Sequence, residues 1–223
     1  MKTFKVLSLL LSYPQAEWVN ELDLLEEVLD AEHVKNGKAR LQLAELLNSL
    51  RSESLLELEQ NYVATFDRNP SHSLHLFEHI HGESRDRGMA MVNLIEEYRK
   101  HGLDMDADEL PDFVPLFLEY LSQLPEQDAL NMLGETVDVM ALIGRKLKGN
   151  NSPYHTVFAV LEEMSPVSAR ELPDVPIRDM EETIVQFGPS NDGTDPLMVP
   201  KTQTAVVHMP QSRKAAAAAG LVS

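Results

Sequence analysis

Leucines and other apolar residues recur at spacings of three and four along almost the whole of residues 2–164. That is the period of a helix buried on one face, and it leaves little room for a strand, which alternates every second residue. The pattern predicts helices over about 2–12, 15–34, 38–50, 53–66, 85–100, 112–124, 126–148 and 153–164. In the second, Trp18, Leu22, Leu25 and Leu29 fall in line; in the fourth, Leu55, Leu58, Tyr62 and Phe66 do. In the helix over 85–100 the expected buried face is Met91, Leu94, Ile95 and Tyr98.

Breakers set the limits of these helices. Pro14, Gly37, the pair Asn69-Pro70, Gly82, Gly102 and Gly149 fall where the period lapses. Ser84 is placed to cap the helix that follows it. Pro115 suits a first helical turn, where its missing N–H costs nothing, if Asp112 is the cap.

Beyond Pro166 the character changes. Prolines recur at 173, 176, 189, 196, 200 and 210, and the run Ala215 to Ala219 is of low complexity. The expected architecture is all-α: one helical-bundle domain over 1–165, then a flexible tail over 166–223 with at most a short helix near Arg178–Val185.

The chain carries 36 acids against 19 lysines and arginines, a net charge of −17. Such a balance repels nucleic acid and anionic lipid and favours basic partners, or serves only solubility. The absence of cysteine excludes disulfides, thiolate metal sites and cysteine nucleophiles. The opening MKTFKVLSLLLSYP is too brief an apolar run for a membrane span and is followed by Glu17 and Trp18 rather than a cleavage site. The expected location is the cytoplasm, without a membrane anchor.

Few motifs carry chemistry. His75-Leu76-Phe77-Glu78-His79 fits H-x-x-E-H, in which two imidazoles one helical turn apart bind zinc and the glutamate activates water. A zinc-dependent hydrolase therefore stands as an alternative, although no third ligand is marked. The wider set His72, His75, His79 and His81 reads either as a metal cluster or as a polar, pH-responsive rim around Leu74, Phe77 and Ile80. Asp104-x-Asp106-x-Asp108 resembles the start of a calcium loop, but Glu109 stands where that loop needs glycine and Pro115 where it needs glutamate. A solvated acidic loop is expected there. Glu83-Ser84-Arg85-Asp86-Arg87-Gly88 concentrates charge at a helix entry, as a capped end with local ion pairs or as the charged wall of a binding groove.

Three stretches, in order, carry a resemblance: Tyr62-Val-Ala-Thr-Phe66-Asp67; Ser73-Leu-His-Leu-Phe-Glu-His-Ile-His-Gly-Glu-Ser-Arg-Asp-Arg-Gly88; and Glu109-Leu-Pro-Asp-Phe-Val-Pro-Leu-Phe-Leu-Glu-Tyr-Leu121. With Leu9-Leu-Leu-Ser-Tyr-Pro14 they resemble the nitrate reductase molybdenum cofactor assembly chaperones, within the NarJ/TorD/DmsD family of redox-enzyme maturation chaperones. The resemblance spans about 1–165. It implies a TorD-like helical domain with no catalytic residues, no metal and no stably bound cofactor, the molybdenum cofactor belonging to the client.

The implied partner is the apo catalytic subunit of respiratory nitrate reductase, including its N-terminal segment, kept open for cofactor insertion before membrane attachment. Contact with cofactor-delivery proteins is a further possibility of the same resemblance. The signature positions carried over as client-binding candidates are Tyr62, Phe66, Leu76, Phe77, Glu78, His79, Arg85, Asp86, Arg87, Glu109, Pro111 and Asp112. Leu76 and Phe77 are expected to floor an apolar groove. Phe113 stands where related sequences usually have histidine. A generic helical adaptor is the other alternative.

Overall fold

The leucines that set the helical period are the residues the fold buries most completely. The structure, a computed structural model, describes residues 1–32, 38–82, 85–104 and 109–172. Its helices are α1 (Lys2–Leu10), α2 (Ala16–Val19), α3 (Leu22–Ala31), α4 (Lys38–Ser52), α5 (Leu55–Tyr62), α6 (Glu78–His81), α7 (Arg85–Lys100), α8 (Val114–Gln123), α9 (Glu126–Gly149) and α10 (His155–Met164). Among the described residues the only β-type pairing is one isolated antiparallel bridge, His75 with Phe113. The protein is all-α, as the periodicity requires.

Packing centres on α9. It lies along α10, which in turn meets α4; α8 joins α9 to α1, and α1 reaches α3. Leu7, Leu10, Leu43, Leu47, Leu118, Leu121, Leu133 and Leu161 are fully excluded from solvent. Each such side chain contributes roughly 1.5–3 kcal/mol through burial. α9 and α10 approach closely at Gly144, where an added Cβ would lie 2.8 Å from the Cβ of Phe158. No helix among the described residues is long and apolar enough to cross a membrane.

Several helix limits depart from the sequence expectation. The single helix over 15–34 is two: Asn20 ends α2, and Glu21 sits at φ −107°, ψ 19°, between the helical and extended regions. Asn and its side-chain competition for backbone groups favour such an ending. The helix over 53–66 begins with a capping box, Ser54 with Glu57, then widens after Tyr62 into a π-helical turn over Val63–Asp67. Its closing bond runs from Arg68 N–H to the Val63 carbonyl at 3.0 Å. The wider turn sets Tyr62 and Phe66 with ring centres 4.9 Å apart and Phe66 the same distance from Tyr154.

The cap of α8 is Phe113, not Asp112, with Pro115 in the first turn. Asp112 is drawn inward instead, for reasons given below. On α7 only Tyr98 of the expected buried face is fully enclosed; Met91, Leu94 and Ile95 are half-buried, and Met89 and Val92 are exposed at 65% and 49%. α7 ends at Gly102 in the left-handed region, φ 74°, with Leu103 N–H closing back onto the Tyr98 carbonyl.

The described chain continues past 165 as a strap on α9. Pro166 and Val167 lie over Gly134, and Asp138 accepts from the backbone N–H and the guanidinium of Arg170 at 2.7–3.0 Å. The rest of the expected tail, with the short helix near Arg178–Val185, lies outside the described residues, as do Ser84 and most of the acidic loop at 104–108.

Candidate functional site

The second and third signature stretches meet in the fold. Leu74 C=O accepts from Val114 N–H at 2.8 Å, and Asp112 C=O accepts from Leu76 N–H at 3.1 Å. The chain at 74–77 is not helical, because this pairing with 112–114 holds it extended and then turned. Asp112 itself is wholly buried. Its carboxylate accepts the Phe77 N–H at 3.0 Å and the Nδ1–H of His75 at 3.3 Å.

A carboxylate removed from water is strongly destabilising unless it is paired and hydrogen-bonded. Here both oxygens have partners. The hydrogen bond to Asp112, reinforced by its charge, raises the pKa of His75 above the usual histidine value, against the opposing effect of burial. The pairing therefore favours the protonated imidazole beside Asp112. Its ring lies 5.4 Å from that of Phe113.

Around this pair the remaining histidines are committed separately. His79 is buried and donates from Nε2 to the Ser73 carbonyl at 2.8 Å. His72 donates from Nδ1 to the Thr65 carbonyl at 2.9 Å, leaving Nε2 to accept from the Asn150 amide at 2.6 Å. These tautomers follow from carbonyl acceptors, which require a ring N–H. His81 meets the Phe77 ring edge-on at 5.8 Å, and burial lowers its pKa.

The zinc reading fails on this geometry. It needs His75 and His79 on one turn of helix, but α6 begins only at Glu78 and His75 is held in the bridge to Phe113. Glu78 is paired instead with Arg87 at 3.0 Å. Among the described residues no group of three or more His, Cys, Asp or Glu is placed to hold a metal.

The candidate residues divide by depth. Tyr62, Phe66, Leu76, Phe77, His79, Pro111 and Asp112 are buried. The Tyr62 hydroxyl donates to the Leu11 carbonyl at 3.0 Å, tying the π-turn to the end of α1. The Pro111 carbonyl accepts from the Tyr98 hydroxyl at 2.7 Å, which fastens α7 to the entry of α8. Leu76 and Phe77, expected to floor a groove, are 2% and 7% exposed and belong to the core. They sit there because hydrogen bonds from their own N–H groups to Asp112 draw the segment inward. Glu78 and Arg87 are half-buried, whereas Asp86 and Glu109 face solvent. Arg85 opens α7, its side chain lying outside what the structure describes.

Sequence reasoning passed over Ser73, Tyr98 and Phe113 as members of this arrangement, and it read His75 as a metal ligand or as part of a polar, pH-responsive rim, not as the partner of Asp112. The bonds in question join residues 35 and 37 positions apart, and no local pattern marks a pair at that distance. An aspartate set between Pro111 and the apolar run that begins at Phe113 is the available hint of a buried acceptor.

Comparison with known proteins places this arrangement in context. The family model described as nitrate reductase delta subunit matches residues 31–160. The chain is 38% identical over 161 residues to the nitrate reductase molybdenum cofactor assembly chaperone NarJ of Escherichia coli K12, covering 72% of this chain and 68% of that protein. It is 38% identical over 165 residues to the probable chaperone NarW of the same organism, covering 74% and 68%. To the probable NarJ of Bacillus subtilis 168 it is 30% identical over 166 residues, covering 73% and 89%.

Proposed function

The chain belongs to the nitrate reductase delta subunit family, and on that premise we propose that it is a system-specific assembly chaperone for respiratory nitrate reductase. In this reading it binds the apo catalytic subunit, including the N-terminal segment. It holds that subunit open while the molybdenum cofactor is inserted, before the complex joins the membrane. The observation that carries the reading is the match, at 38% identity over 161 residues, to a relative named for this assembly step. It acts in the cytoplasm without catalysing a reaction, and the molybdenum cofactor resides in the client.

The geometry is in keeping with a binding role. Signature residues from two stretches are joined by hydrogen bonds into a clamp, and the charged ones among the signature set, Glu78, Asp86, Arg87 and Glu109, are half-buried or exposed. Acids in excess raise the encounter rate with a basic segment and make it salt-sensitive.

Calorimetry of the full chain with a synthetic N-terminal peptide of the co-encoded catalytic subunit tests this. The expected outcome is one-to-one binding that weakens as salt rises, together with loss of nitrate reductase activity in cells deleted for the chain. Absence of binding to both the peptide and the apo catalytic subunit, with enzyme maturation intact in the deletion, would overturn it.

A further inference from the structure

The break between α2 and α3 opens a pocket of about 340 Å³ against the junction of α4 and α5. Its apolar walls come from Val19, Leu22, Leu50 and Leu55. The size falls at the small end of ligand sites, enough for an anchoring side chain rather than a cofactor. Leu56, next in sequence to the wall residue Leu55, is 62% exposed.

The charge around this pocket is mainly negative. From Ala16 to Glu32 the chain has seven acids and no lysine or arginine. The one cation lining the pocket, Arg51, is already bound to Glu26 and Asp23 at 2.6 and 2.9 Å. Glu53, also on the rim, accepts from Ser49 and Asn61 side chains, which neutralise none of its charge. Among the described residues Glu17, Glu21 and Glu27 have no ion-pair partner. The N-terminus of α5, which would attract an anion, is already occupied by its own capping box of Ser54 and Glu57. A pocket of mixed lining, with Val19, Leu22, Leu50 and Leu55 on its walls and unpaired acids around it, suits a helix with an aliphatic or aromatic anchor and lysines or arginines beside it.

We propose that the pocket between α2–α3 and α4–α5 is the docking site for the anchor residue of a cationic amphipathic helical segment. Resting on the function proposed above, the segment is the client's N-terminal one. The clamp at 73–82 and 112–114 then maintains the fold, and recognition takes place at a different face.

The test measures binding by the full chain of two labelled peptides, using fluorescence anisotropy at low and high salt. One is the N-terminal peptide of the co-encoded catalytic subunit; the other is an unrelated amphipathic Leu/Lys helix. Ala16→Trp fills the pocket from an exposed position, and Asn20→Arg places a cation on its rim. Both are expected to weaken both peptides on the order of tenfold or more, with melting temperatures near that of the wild type. Leu41→Ala, which removes a 70% exposed leucine outside the pocket lining, is expected to leave affinity within about twofold.

Client peptide bound equally by wild type and both pocket variants overturns the pocket while leaving the chaperone reading intact. Binding of the Leu/Lys helix that both variants abolish, without binding of the client peptide, supports the pocket and removes the client assignment. Failure of the wild type to bind either peptide overturns the proposal. If Ala16→Trp lowers the melting temperature, Asn20→Arg alone decides.

Discussion

Where α8 lies against α1, Phe117, Leu118 and Leu121 are at most 1% exposed, and the contact is mainly apolar, with one buried hydrogen bond from the Ser8 hydroxyl to the Pro115 carbonyl and a Lys5–Glu119 pair. At the entry to that same helix, the segment from Ser73 to Gly82 is held to residues 111–114 mainly by hydrogen bonds around a buried carboxylate. Next to it α7 leaves Met89 and Val92 largely in solvent. The two regions share a helix and differ in what stabilises them. Apolar packing is additive over many contacts and insensitive to pH; the clamp depends on a few partners, each of which must be satisfied. The packed side is therefore expected to set global stability, and the clamp to set the position of α6 and α7.

The largest effect should come from the packed side. Leu118→Ala removes a wholly buried side chain and is expected to cost roughly 3–5 kcal/mol in urea unfolding, with every probe shifting together. Loss confined to α1 and α8 would break the comparison by showing that the core is not one cooperative unit.

Asp112→Ala comes next, at about 2–4 kcal/mol, because it strands the Phe77 N–H and the Nδ1–H of His75. Its signature should be local: hydrogen exchange over 74–81 and α7 should accelerate more than exchange in α9. Uniform acceleration throughout would mean that clamp and core are inseparable.

A smaller, pH-dependent effect isolates the His75–Asp112 pair. His75 has its pKa raised in the folded state, so the stability it adds is fully present below the unfolded value of 6.5. That stability is lost as pH rises through the higher folded value. The difference in stability between wild type and His75→Gln should therefore be largest in mild acid and shrink toward alkaline pH. A difference that grows with pH would mean that His75 is neutral beside Asp112.

The smallest change is expected from Arg87→Ala. Its pair with Glu78 joins α6 to α7 at 3.0 Å near the surface, and such pairs contribute about 0–1 kcal/mol, less at high salt. A loss above that range, unaffected by salt, would show that the pair is part of the buried network.

Most of the helices could be read from the chain because one-sided burial leaves a period in the sequence, and breakers such as Pro14 and Gly102 mark the ends. The departures have local physical causes. Glu21 leaves helical geometry within an uninterrupted apolar pattern, and the π-turn after Tyr62 keeps the aromatic residues facing inward while changing the backbone. The site was legible as a set of residues through family resemblance, but not as an arrangement. Leu76 and Phe77 look like a groove floor because apolar residues beside charges suggest one. Their burial follows from bonds to Asp112, which lies 35 positions or more along the chain from either of them.

The sequence by itself determined the all-helical class, the acidic surface and the family. Each is written in composition, period or motif, which need only neighbouring residues to be read. Tertiary structure alone decided that His75 pairs with Asp112 rather than standing on a helix turn with His79. It also decided that α8 starts at a phenylalanine cap, and that a pocket opens where α2 gives way to α3. These depend on which groups meet across the fold, and a buried charge accepts whatever partner the packing brings within reach.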